Sequence, residues 1–314
     1  MAVVTDIRNT VPPPEWGVTV STAAIERLAY QWATHRFELP RWDYAGLPRG
    51  LADAAWYDVC VLACSVLACI WPPEGDEMWT VAYEGQELDD APAIFSCFSR
   101  RIADGRIDFD VFNRLTAAEF FAGRGTLQLR DERWSRLTAV TTALRDEWDG
   151  TARNIVDAGN HDAPRIVELI AATVPGFDDA PAGPQGPLPF YKLARLATAM
   201  MSAGGTTPFR RLDRLPVYPD YMLPLVLRHR GVLDYAADLA AAVDSRRLIP
   251  KESEWELAIR WATVYAGDRL VAALRDRGAD VTAPALDYFL WESAVLGPEA
   301  GTMGEHHRTI TLAY

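Results

Sequence analysis

The stretch from Leu51 to Trp71 constrains the fold more than any other part of the chain. It is apolar almost all the way round and is stopped by Pro72-Pro73. Side chains without a polar face cannot lie at a surface, so the pattern predicts a central helix enclosed by other elements. It stops just short of the apolar length that a membrane span needs, and no other run reaches roughly 18 apolar residues. Three of the four cysteines, Cys60, Cys64 and Cys69, fall inside this run. Their spacing suits neither a zinc site nor a redox pair, and free cysteine packs as a small core residue. Buried thiols in a reducing, cytoplasmic protein follow.

Around that helix the helical signals dominate. Pro12-Pro13-Pro14 keeps the chain extended until Ser21 or Thr22 caps a helix to about Arg36, with Ile25, Leu28, Ala29 and Trp32 on one face. Met78–Tyr83 reads as the one strand, turned at Glu84-Gly85 into Gln86–Leu88, a hairpin that must lean on helices to be stable. Further helices are predicted over Ala93–Ile102, after the capping box Thr116–Glu119, over Asp131–Trp148 up to Gly150, and over Ala163–Val174. A linker rich in proline and glycine, Pro175–Pro189, precedes helices over Phe190–Met201, Asp220–Leu227, Asp234–Val243, Glu252–Leu274 and Pro284–Leu296. The fold class is mainly α with one small β-hairpin. We expect a single compact domain, with the linker marking possible lobes 1–180 and 181–314.

Charge narrows the function. The 314 residues carry 43 acidic against 31 basic side chains, a formal charge of -12, which repels phosphate polymers and makes duplex nucleic acid an unsuitable main ligand. A small ligand with one phosphate remains compatible, because one Arg, Lys or helix N-terminus suffices to hold it. The opening Met-Ala-Val-Val-Thr-Asp has neither a basic nor an apolar segment, so no targeting sequence and no membrane attachment are expected. There is no glycine-rich phosphate loop, no His-Glu-x-x-His and no Gly-x-Ser-x-Gly, and the five histidines offer no spaced metal set. No cofactor and no metal are expected.

Two places combine carboxylates with aromatic side chains. Tyr218-Pro219-Asp220-Tyr221-Met222-Leu223-Pro224 frames Asp220 between aromatics and prolines, downstream of the helix that opens Phe190-Tyr191-Lys192. Asp220 there is either a helix N-cap or a catalytic group. Asp287 sits beside Tyr288, Phe289, Trp291 and Glu292. Aromatic walls suit a flat heterocycle, and a carboxylate among them suits a base edge or a developing sugar cation. Core packing at helical spacing is the more frequent use of residues such as Phe289 and Trp291, and Asp287 could instead solvate a helix end or pair with an arginine.

At Phe190-Tyr191-Lys192, Asp220-Tyr221-x-Leu223-Pro224, Tyr235, Leu286-Asp287-Tyr288-x-Leu290-Trp291 and His307-Arg308 the sequence resembles the queuosine salvage proteins, from about Trp56 onward. The resemblance implies hydrolysis of the N-glycosidic bond of queuosine 5′-monophosphate, a small-molecule nucleotide, with release of queuine for return to tRNA. A fainter likeness to the helical DNA glycosylases implies a compact multi-helix architecture. The other function classes to weigh are a non-catalytic queuine- or nucleotide-binding protein and a nucleic-acid base glycosylase.

Asp220 and Lys192 are then the expected catalytic pair. An oxocarbenium-like transition state gains from a carboxylate beneath the anomeric carbon. Asp220 would stabilise that cation, deprotonate the attacking water or form an adduct; Lys192 would bind phosphate, polarise the base or keep Asp220 ionised. The resemblance makes Phe190, Tyr191, Tyr221, Tyr235, Asp287, Trp291, His307 and Arg308 candidate substrate contacts. The family's Asp-Thr-Leu-Asn run would fall where this chain holds Cys64 and Leu67, and its flanking Arg and Gln where it holds Met222 and Leu225. Asp287 is therefore expected to accept hydrogen bonds from the guanine-like edge in their stead.

Overall fold

The structure, a computed structural model, describes residues 4–314. Thirteen α-helices lie among the described residues: α1 (Thr22–Trp32), α2 (Asp53–Cys64), α3 (Asp90–Ser99), α4 (Val111–Arg114), α5 (Ala117–Phe120), α6 (Arg130–Glu147), α7 (Arg153–Ala158), α8 (Ala163–Thr173), α9 (Lys192–Gly204), α10 (Met222–His229), α11 (Ala237–Asp244), α12 (Glu254–Arg275) and α13 (Ala283–Val295). The class is mainly α, as the sequence predicts. No helix among the described residues is long and apolar enough to cross a membrane.

Among the described residues four antiparallel strand pairs accompany the helices, where the sequence predicts one. They are β1 (Val18–Val20) with β8 (Leu233–Tyr235), β2 (Val81–Tyr83) with β3 (Gln86–Leu88), β4 (Ile102–Ala103) with β5 (Arg106–Ile107), and β6 (Ala182–Gly183) with β7 (Gly186–Pro187). The β2–β3 pair is the expected hairpin. Glu84 and Gly85 both take positive φ, 48° and 79°, the twist a two-residue turn needs to match its strands. The β1–β8 ribbon corrects the helix expected over Asp234–Val243: Val18 pairs with Tyr235 and Val20 with Leu233, and helix α11 starts only at Ala237.

The chain divides into two compact units of three segments each. Unit 1 takes the described residues up to Pro40, then Asp179–Lys192 and Asp213–Ile310; unit 2 takes Arg41–Asp178, Leu193–Leu212 and Thr311–Tyr314. In unit 1 the axis is α12, whose buried Ala258, Ile259, Ala262, Ala266 and Leu270 meet Ile25 and Leu28 of α1, Leu223 and Leu227 of α10, and Leu286 and Leu290 of α13. The i, i+3, i+4 spacing of these residues brings them onto shared faces. Ser21, Ser253 and Thr282 cap α1, α12 and α13 by accepting a backbone N–H three residues on, at 3.2, 3.4 and 3.3 Å.

In unit 2 the apolar run does form an enclosed helix, with Val59 to Cys64 wholly buried, but α2 ends at Cys64. The helix expected to reach Trp71 stops seven residues early, and the remainder stays buried in irregular form. Its carbonyls are met by one side chain. The fully buried Arg133 of α6 donates to Val66 O, to Ala68 O at 2.6 Å and to Cys69 O at 2.9 Å, while its Nε donates to Gln128 O at 2.9 Å. No continuing helix could have paired Ala68 O and Cys69 O, because the residues four positions on, Pro72 and Pro73, have no N–H; the guanidinium fork supplies those donors. The Thr116–Glu119 capping box is present in both halves.

Candidate active site

Asp220 sits at the end of an extended segment that crosses α12 in unit 1. Val217, wholly buried, rests on Gly267, where an added Cβ would lie 2.6 Å from the valine; only glycine allows that approach. The next residue, Tyr218, donates its N–H to Asp287 Oδ1 of α13 at 2.6 Å, and Pro219 O accepts from Arg260 Nε of α12 at 3.4 Å. Three successive residues are thereby pinned before Asp220 is reached. Asp220 Oδ1 then accepts the N–H groups of Met222 at 2.8 Å and Leu223 at 3.0 Å, the first two residues of α10. The N-cap residue of α10 is Tyr221, not Asp220 as the sequence suggests; Asp220 caps the helix from one position ahead, with one carboxylate oxygen taken up by the two amides.

The neighbouring carboxyl is electrostatically unusual. Asp287 keeps part of its surface exposed, but its carboxyl group is enclosed by protein. Burial, reinforced by the charge of Asp220, holds that carboxyl well above the usual carboxylate range, and the Tyr218 N–H and the Lys192 charge offset this only in part. Lys192 is 7% exposed and is the first residue of α9. The residue before it, Tyr191, takes φ 44°, an uncommon backbone for a side chain of that size, which explains why the helix starts at Lys192 and not at Phe190. Asp179 holds this bend: its carbonyl accepts Tyr191 N at 2.9 Å and its Oδ2 accepts Lys192 N at 3.5 Å.

The C-terminal histidines close on the same place. The His306 ring packs on Tyr221 with centroids 4.8 Å apart and planes 35° apart, and Asp220 is among the charges that act on it. Burial lowers the His306 pKa and drives that of His307 down to about 3, so His307, expected as a phosphate or ribose contact, is a neutral imidazole. Arg308 lies 3.8 Å from Glu305, and its carbonyl accepts Ile249 N at 2.8 Å.

Asp220, Asp287, Lys192 and Tyr221 are thus brought together. Other candidates are placed in packing. Phe190 has no exposed surface, and its ring lies 4.1 Å beneath the Arg260 guanidinium. Tyr235 stands on β8 in the core with Arg228 4.8 Å over its ring. Trp291 lies parallel to Tyr288, 6.3 Å away and 19° apart, and packs partly buried on the unit 1 core, as do Met222 and Leu225. In unit 2, Cys64 is wholly buried with its sulfur 3.5 Å from that of Met200, and Leu67 is 8% exposed. Sequence reasoning missed Asp179, Glu256 and Arg260. A charged pair spaced i, i+4, Glu256 and Arg260, inside an otherwise apolar stretch of helix was the available signal.

A family model described as queuosine salvage protein matches residues 61–314. The chain is 27% identical to the queuosine 5′-phosphate N-glycosylase/hydrolase of Sphaerobacter thermophilus over 323 aligned residues, which cover 100% of this chain and 98% of the relative. The proteins of the same name from Dictyostelium discoideum and Nematostella vectensis are 26% and 21% identical, over 58% and 78% of each chain.

Proposed function

Because the chain belongs to the queuosine salvage protein family, we propose that it hydrolyses the N-glycosidic bond of queuosine 5′-phosphate and releases queuine. The observation that carries this reading is the carboxyl pair Asp220 and Asp287, set against the buried Lys192 in one electrostatic cluster. A carboxyl held in its protonated form beside a second carboxyl can serve as the acid of such a pair.

The C1′–N bond breaks with its electron pair left on the base, and positive charge spreads over C1′ and the ring oxygen. Asp220 Oδ2 faces that charge, while Oδ1 is held by the two α10 amides. Queuine is a 7-deazapurine and lacks the ring nitrogen that ordinary purines protonate on departure. Asp287, protonated by its surroundings, gives its proton to another acceptor on the leaving base. In this reading Asp287 acts on the base as a donor. Water adds to C1′ and yields a proton to Asp220, from which the adjacent Asp287 recovers it, so the enzyme ends as it began. The ammonium of Lys192 keeps negative charge tolerable at this place.

The net charge of -12 supports a nucleotide over a nucleic-acid duplex, and the four free, buried cysteines suit a reducing cytoplasm. The test is product analysis with queuosine 5′-phosphate, the nucleoside and intact tRNA side by side. Free queuine from the nucleotide is expected. A ligand-induced rise in melting temperature without product would identify a carrier instead.

A further inference from the structure

The most deeply buried charges of unit 1 lie outside the reacting groups. Arg260, on α12, has its side chain 2% exposed; Asp179 and Glu256, its partners, are 6% and 1% exposed. Nη1 donates to Asp179 Oδ1 at 3.1 Å and to Glu256 Oε1 at 3.2 Å, and Nη2 donates to Asp179 Oδ2 at 2.5 Å. The ring of Phe190 supports the guanidinium plane from one side at 4.1 Å. Enclosing one cation with two carboxylates carries a desolvation cost that an apolar trio of equal volume would avoid, so stability alone is a poor explanation of the arrangement.

What the guanidinium joins suggests another. Through Asp179 it reaches the backbone of Tyr191 and Lys192, holding the left-handed residue that starts α9 at the lysine. Through its Nε it holds Pro219 O, the carbonyl immediately before Asp220. Glu256 stiffens the arginine from below by also accepting the N–H of Glu252 at 3.1 Å. We propose that Arg260 and Asp179 form a positioning clamp that sets the separation between Lys192 and Asp220, with Arg260 gripping both chain segments at once. A lysine at 260 cannot do this, because a single ammonium lacks the planar fork that spans a carboxylate and a carbonyl together.

The inference rests on Lys192 and Asp220 as reacting groups, and its test separates the two claims. Asp179→Asn keeps the shape and leaves Arg260 paired with Glu256, so the variant folds. Its crystal structure beside that of the wild type is expected to show the Lys192 to Asp220 separation changed by on the order of 1 Å, the scale of misplacement that costs about 100-fold in rate. Its kcat for base release is expected to fall about 10–100-fold with KM moving less than about threefold, and Arg260→Lys is expected to show the same split. An unchanged separation overturns the clamp even if the wild type releases no base. Wild-type kcat in folded Asp179→Asn overturns it as well. A wild type that releases no base overturns the function and leaves the geometric comparison to decide the clamp.

Discussion

Asp287 Oδ1 accepts the backbone N–H of Tyr218 at 2.6 Å, which ties α13 to the chain two residues ahead of Asp220. The bond consumes one oxygen of Asp287 as an acceptor, and burial beside Asp220 keeps the group protonated well above the usual carboxylate range, so the other oxygen carries the proton. Asp287→Asn preserves the bond to Tyr218 but cannot transfer a proton. Its kcat should fall by roughly 10²–10⁴, the range of a general acid, and the alkaline limb of the pH–rate profile should disappear with it. Steady-state assays from pH 5 to pH 10 check both, and an unaltered alkaline limb would assign that limb to another group.

Lys192 opposes the elevation of Asp287. Removing its charge in Lys192→Met should therefore raise the Asp287 pKa further, and the alkaline limb of residual activity should move to higher pH. Lys192→Arg keeps the charge and should leave the limb in place. The same pH–rate series decides, and a shift to lower pH would contradict the charge assignment.

Asp58 of α2 tests the electrostatics of unit 2. Burial pushes its carboxyl up to about 6, although it accepts the N–H of Ala152 at 2.7 Å and the hydroxyl of Thr151 at 3.1 Å. A folded-state pKa above the unfolded one means that the group favours the folded state most at low pH, an advantage lost as pH rises from about 4 to about 6. Asp58→Asn keeps both hydrogen bonds without the charge. Urea denaturation should show the variant gaining on the wild type by up to about 3 kcal/mol between pH 4 and pH 7, at about 1.4 kcal/mol per pKa unit.

Arg133 carries the end of α2. Arg133→Met removes the donors to Val66 O, Ala68 O, Cys69 O and Gln128 O inside a dry core. A loss of about 3 kcal/mol or more is expected from denaturant midpoints, because each orphaned buried acceptor costs about 1–3 kcal/mol. Arg133→Lys should recover only part of it.

Local signals in the sequence were reliable where the physics is local. The Glu84-Gly85 turn, the Thr116–Glu119 capping box and the capped start of α1 depend on residues a few positions apart, and all are found. The end of α2 was not legible, because the donor that lets the chain leave the helix at Cys64 is Arg133 on α6. The sequence around Tyr235 reads as helix, because nothing near it reveals a partner strand at Val18. At the site, Asp220 was legible as cap and as candidate together, since proline and aromatic neighbours mark it. Asp179 and Arg260 were not, because their meaning lies in a contact between a linker and the middle of a helix.

Asp220 offers the most direct test, because its two oxygens separate structure from chemistry. Oδ1 caps α10, and an amide oxygen at the same position accepts the same two N–H groups. Asp220→Asn should melt within a few degrees of the wild type and still bind queuosine 5′-phosphate, while queuine release in the chromatographic assay falls by about 10³-fold or more, as loss of the group facing the transition-state charge requires. Wild-type turnover in the folded variant would contradict the account.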